Sequence, residues 1–135
     1  NHPADEFVAS FVGVETILKG KVIEKKMGIV TVSVSGREVA VIGDYAVGEN
    51  LILCIRPENV TLSVKPSDTP TSARNTFPGT IERIVPMGLF QKVELNCGFP
   101  LVAYITQDSV DALSLCEGND VAASLKATAI HVVKK

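Results

Sequence analysis

The chain has 135 residues, a length for one ordinary domain or two very small ones. Hydrophobic residues make up 46% and charged residues 21%, which excludes a disordered or collagenous chain. Thirteen basic against fifteen acidic residues give a net charge of −2, so no whole-protein basic field is present to draw in nucleic acid.

Phe7, Val8, Phe11 and Val12 fall at helical spacing between Asp5 and Val12, which predicts a short amphipathic helix ended by Gly13. Strand grammar follows. Val30, Val32 and Val34 alternate with Thr31 and Ser33 over Ile29–Ser35, and similar runs occur at Lys21–Lys25, Glu38–Ile42, Leu51–Arg56 and Val60–Val64. Gly28, Gly36 and Gly48 punctuate these runs as turns. The polar, proline-bearing stretch Lys65–Thr71 reads as a linker. Strands resume at Gly79–Val85, Phe90–Leu95, Leu101–Ile105, Val121–Lys126 and Ile130–Val133. Thr106–Leu115 interrupts them as one or two helical turns, with Thr106 placed to cap.

The halves read as copies. Gly20 and Gly79 each open a strand in this reading, and the Gly48–Val60 stretch aligns with Gly118–Ile130. The offset grows from 59 to 70 residues, mostly through the Thr106–Leu115 segment. Five short strands per copy predict an all-β fold of two small OB-like barrels, with helix only at the N-terminus and after Thr106. The expected division is 1–64 for the N-terminal helix and first barrel, 65–71 for the linker, and 72–135 for the second barrel. Barrels of that size are marginal alone, so packing between them or dimerisation is expected.

Nothing in the sequence makes an enzyme. His2 and His131 complete no Ser/His/Asp set, and no zinc quartet can be assembled from them with Cys54, Cys97 and Cys116. Gly43–Gly48 has P-loop spacing, but Glu49-Asn50 stands where Lys-Ser/Thr is required. The three widely spaced cysteines read as small buried hydrophobes in a reducing, cytoplasmic setting. The start Asn1-His2-Pro3, with no signal-peptide pattern, reads as a piece of a longer protein.

Three segments of the second copy do suggest a ligand. Ser72-Ala73-Arg74-Asn75 offers hydroxyl, guanidinium and amide donors within four residues. Thr106 and Ser109 occupy the N-cap and N3 positions of the short helix, where free N–H groups face outward. Lys126-Ala127-Thr128 follows Leu125, which must point inward and so leaves Lys126 on the other face. Two positive charges, several hydroxyls and backbone N–H groups together suit a tetrahedral dianion. In the first copy Glu15 stands where the second has Arg74, and a carboxylate repels a dianion, so one set of donors per chain is expected. Arg56, opposite Lys126, is expected to pair with Glu58.

Ser-Ala-Arg-Asn, then Ile-Thr-x-x-Ser-Val-x-x-Leu, then Leu-Lys-Ala-Thr is closely similar to the signature of the molybdate/tungstate-binding MOP (molbindin-like) domain. Phe7–Gly13 and Ile55–Val60 resemble the transport-associated OB segment, or TOBE domain, of importer ATP-binding subunits. The resemblance implies the regulatory region of an ABC-type molybdate or tungstate importer, without its nucleotide-binding domain. It implies oxyanion contacts at Ser72, Ala73, Arg74, Asn75, Thr106, Ser109, Lys126, Ala127 and Thr128. It further implies a homodimer with the oxyanion at its interface and feedback inhibition of import. Nucleotide-binding and membrane permease subunits would be partners in the full complex, at the cytoplasmic face of the membrane. No cofactor, nucleic acid or membrane insertion is expected. The alternative is a free-standing molybdate/tungstate storage protein. The N-terminal helix and Arg56-Pro57-Glu58 argue against that alternative, and an OB-type nucleic-acid binder would want basic stripes and stacking aromatics.

Overall fold

A computed structural model describes residues 12–64 and 75–135. The expected Asp5–Val12 helix, except for Val12, lies outside the described residues. So do the expected linker and Ser72, Ala73 and Arg74.

Among the described residues, ten strands form two five-stranded antiparallel sheets: β1 (Thr16–Lys26), β2 (Ile29–Val34), β3 (Arg37–Ile42), β4 (Asn50–Ile55), β5 (Thr61–Ser63), β6 (Asn75–Pro86), β7 (Phe90–Asn96), β8 (Pro100–Thr106), β9 (Asp120–Leu125) and β10 (His131–Lys134). The one described α-helix, α1 (Gln107–Ala112), follows Thr106, and 3-10 turns cover Pro57–Asn59 and Ala127–Ala129. The fold is all-β, as the alternation of the sequence predicts.

The strand orders are β10-β4-β1-β2-β3 and β5-β9-β6-β7-β8. Each sheet therefore takes its end strand from the other half of the chain. The sequence halves 1–64 and 72–135 do not correspond one to one with the sheets, because β5 lies with the second and β10 with the first. The 3-10 turns cause the exchange. Pro57–Asn59 lies against β8 and Ala127–Ala129 against β3, so the chain leaving β4 or β9 is handed across to the opposite sheet. The returning β10 is fastened by Lys134, which sits 3.4 Å from Glu49 and over the ring of Tyr45. A small sheet alone buries too little apolar surface. Here one continuous core, from Leu18 and Val32 to Leu125 and Ile130, draws on both halves.

Gly20 and Gly79 do not open strands, contrary to the sequence reading; each lies inside a longer one. A side chain at Gly20 would put a Cβ 2.5 Å from Val32 Cγ1, and one at Gly79 would lie 2.6 Å from Cys97 Sγ. Close approach of the neighbouring strand, rather than a turn, requires glycine at these two positions. Just beyond them, register shifts between Val22 and Glu24 and between Ile81 and Arg83 bend β1 and β6 so that each serves two neighbours. The true turn glycines are elsewhere: Met27-Gly28 and Ser35-Gly36 both take positive φ in two-residue hairpins. The Gly43–Gly48 stretch is a plain turn, closed by Glu49 accepting from the Ala46 N–H at 3.1 Å.

Candidate functional site

β8 ends by turning its last outward residue into a helix cap. Ile105 points into the core, so strand alternation places Tyr104 and Thr106 on the opposite face. The Thr106 backbone is extended, and its Oγ1 accepts from the Ser109 N–H at 3.1 Å while its hydroxyl lies 3.0 Å from Ser109 Oγ. This is the N-cap and N3 arrangement that the spacing predicts.

Thr106 and Ser109 open onto a cleft of about 260 Å3, lined also by Glu58, Val60, Thr61, Leu62, Tyr104, Ile105 and Leu113. Glu58, Val60, Thr61 and Leu62 of that wall come from the first half of the chain. The sequence reading had assigned no wall residue there. The signal was nonetheless present, since the repeat sets Glu58 opposite Thr128.

Tyr104 and Lys92 converge on Glu15. Lys92 Nζ lies 3.0 Å from Glu15 Oε1, and the Tyr104 hydroxyl donates to the other carboxylate oxygen. The Tyr104 bond, and then the Lys92 bond, hold the Glu15 carboxyl below its usual range. The same bond raises the Tyr104 hydroxyl. Glu15 is thus neutralised by the second half of the chain. Arg56 does not pair with Glu58: the ion pairs among the described residues are Lys25–Asp44, Arg83–Glu94, Lys92–Glu15 and Lys134–Glu49. Arg56 is the N-cap of the 3-10 turn that holds Glu58, and its Nε lies instead 3.6 Å from where a Cβ on Gly13 would stand.

Lys126, Ala127 and Thr128 stand elsewhere. Leu125 is buried, Lys126 is exposed with extended backbone, Ala127 is buried and Thr128 is exposed. Their turn packs against β3, and none of the three lines the cleft of Thr106 and Ser109. Asn75, facing Leu125, is buried and gives both ends of its amide to the backbone of Ala40 in β3. A single chain therefore gathers the expected donors among the described residues into two groups: Thr106 and Ser109 beside Glu58, and Asn75 with Lys126–Thr128 beside β3.

Residues 71–132 match the TOBE domain family. The chain is 39% identical over 133 residues, 96% of its own length, to the molybdate/tungstate import ATP-binding protein WtpC of Pyrococcus horikoshii. It is 35% identical over 137 residues, 98% of its length, to the WtpC of Pyrococcus abyssi. It spans 35% and 36% of those two relatives. A molybdenum transport protein, ModE of Herbaspirillum seropedicae, is 35% identical over 88 residues, covering 64% of this chain and 33% of that one. The fold is shared with the molybdate-bound cytoplasmic protein ModG at a TM-score of 0.79 and 22% identity, over 90% of this chain and 96% of that one.

Proposed function

Because residues 71–132 belong to the TOBE domain family, in a chain related to molybdate/tungstate import ATP-binding proteins, we propose that this chain is the oxyanion-sensing regulatory part of such an importer. Its ligand is molybdate or tungstate, and it needs no cofactor.

The observation that carries this reading is the separation of the donors into two groups. Thr106 and Ser109 offer hydroxyl groups, but the charged residue that lines their cleft is Glu58, an anion. A dianion taken from water needs compensating positive charge. In this reading Lys126, with Ala127, Thr128 and the Ser72-Ala73-Arg74 segment, supplies it. A second copy brings these residues to the Thr106–Ser109 cleft, so the homodimer binds the oxyanion between its chains. Arg74 and Lys126 balance the two charges, and hydroxyl and N–H groups take up the remaining lone pairs. Ligand then fixes the relative position of two chains. In an importer this allows cytoplasmic oxyanion to hold the nucleotide-binding and permease subunits in a resting arrangement. The reading places the chain at the cytoplasmic face of the membrane. Among the described residues no helix is long and apolar enough to cross it.

Calorimetric titration with molybdate, tungstate and sulfate, run beside sedimentation, tests the proposal. The expected result is a dimer that binds molybdate and tungstate with one site per chain and sulfate far more weakly. Absence of binding for both metal oxyanions, or full-affinity binding by a monomer, overturns it.

A further inference from the structure

Asn75 is the first residue of β6, paired with Leu125 of β9 and thus one residue from Lys126. It is 3% exposed. Its Oδ1 accepts from the Ala40 N–H at 2.7 Å, and its Nδ2 donates to the Ala40 carbonyl at 2.9 Å. Ala40 belongs to β3, the free edge of the first sheet, and the turn carrying Ala127–Ala129 lies against that same strand. One side chain therefore ties the strand end beside Lys126 to the surface on which the Lys126 turn rests.

The repeat provides an internal comparison. Thr16 pairs with Ile55 as Asn75 pairs with Leu125, and Val102 pairs with Glu94 as Ala40 pairs with Thr31. Thr16 accordingly reaches Val102, but with a single bond, accepting from its N–H at 3.2 Å. The copy that carries Lys126 has the two-point version. A buried carboxamide that uses its oxygen and its nitrogen on one backbone residue fixes both distance and direction, whereas a lone hydroxyl fixes only distance.

We infer that Asn75 is a positioning residue for oxyanion binding: its amide clamp on Ala40 fixes β3 and the Lys126 turn in the arrangement that the ligand needs. This inference rests on the functional reading above and gives Asn75 a task other than contact with the ligand.

Tungstate titrations of the unaltered chain, Asn75→Ala, Asn75→Thr and Val32→Ala test it, with amide exchange of Ala40 followed in each. Val32 is a fully buried core residue of β2 and serves as a control for lost stability. Asn75→Ala is expected to weaken tungstate at least tenfold, and Asn75→Thr by less, since a hydroxyl can still accept from the Ala40 N–H. Val32→Ala should stay within twofold. Tungstate should slow Ala40 amide exchange in the unaltered chain and fail to do so in Asn75→Ala. If Asn75→Ala does not fold, the Asn75→Thr titration and exchange carry the test. Unchanged affinity in the Asn75 variants, or an equal loss in Val32→Ala, overturns the inference. Failure of the unaltered chain to bind refutes the functional reading itself, and this inference with it.

Discussion

Lys92 holds Glu15 across 77 residues of sequence, at 3.0 Å, and so joins the first half of the chain to strand β7 of the second. Both side chains are about a quarter exposed. Exposed and half-exposed ion pairs contribute roughly 0.2–1 kcal/mol. Glu15→Gln should therefore cost less than about 1 kcal/mol. Because folding lowers the Glu15 pKa, its contribution is complete above the unfolded carboxyl value and is lost as pH falls through the lower folded value. Urea unfolding between neutral and strongly acidic pH should show a shallower acid limb in Glu15→Gln than in the unaltered chain. Parallel limbs would exclude this role.

Cysteine reactivity is expected to divide cleanly. Burial pushes the Cys54 and Cys97 thiols up to about 11, whereas Cys116 is exposed and lies beside Asn119. Since the thiolate is the reacting species, a maleimide or disulfide reagent near pH 8 should label Cys116 alone in the folded protein. Mass spectrometry of the labelled sites checks this, and all three should react after unfolding. Early labelling of Cys97 would contradict the packing around Gly79.

Most of the fold was legible in the sequence, and the failures have identifiable physical causes. Alternation found all ten strands because each has one face in the core. It missed the first residues of β1 and β6 because glycine in mid-strand looks like a turn until its neighbour is seen. The exchange of β5 and β10 was invisible for a related reason: a three-residue 3-10 turn sets which sheet a strand joins, and periodicity carries no record of direction. The Thr106–Ser109 cap was legible because capping is local. Glu58 and Tyr104 were not placed beside them, since that neighbourhood depends on the exchange. The Lys92 and Tyr104 bonds to Glu15 span 77 and 89 residues of sequence and left no local pattern.

Gly20→Ala and Gly79→Ala should each destabilise the fold, because the added Cβ meets packed atoms 2.5–2.6 Å away. Overpacking of this kind costs about 1–3 kcal/mol. Gly20→Ala should be the worse of the two, since a backbone carbonyl, Ser33 O, also lies 2.7 Å from the added carbon. Gly48→Ala, with positive φ but nothing within 4 Å, should cost less than either. Thermal melts of the three variants rank them. Equal losses would mean that backbone conformation rather than crowding sets the penalty.

The proposed oxyanion site is assembled from Thr106 and Ser109 of one chain and Lys126 of another. Loss of a charged partner from a desolvated site costs about 3–5 kcal/mol, so Lys126→Ala should nearly abolish binding, and Arg56→Ala, its repeat counterpart, should not. The most direct measurement mixes two defective proteins, Lys126→Ala and the double variant Thr106→Ala/Ser109→Ala, under conditions that exchange chains, and titrates the mixture with tungstate. If the site spans two chains, each mixed dimer carries one site with both defects and one intact site, and high-affinity binding returns although neither parent binds. If mixing, with exchange verified by mass, restores nothing, both groups act within one chain and the account is wrong.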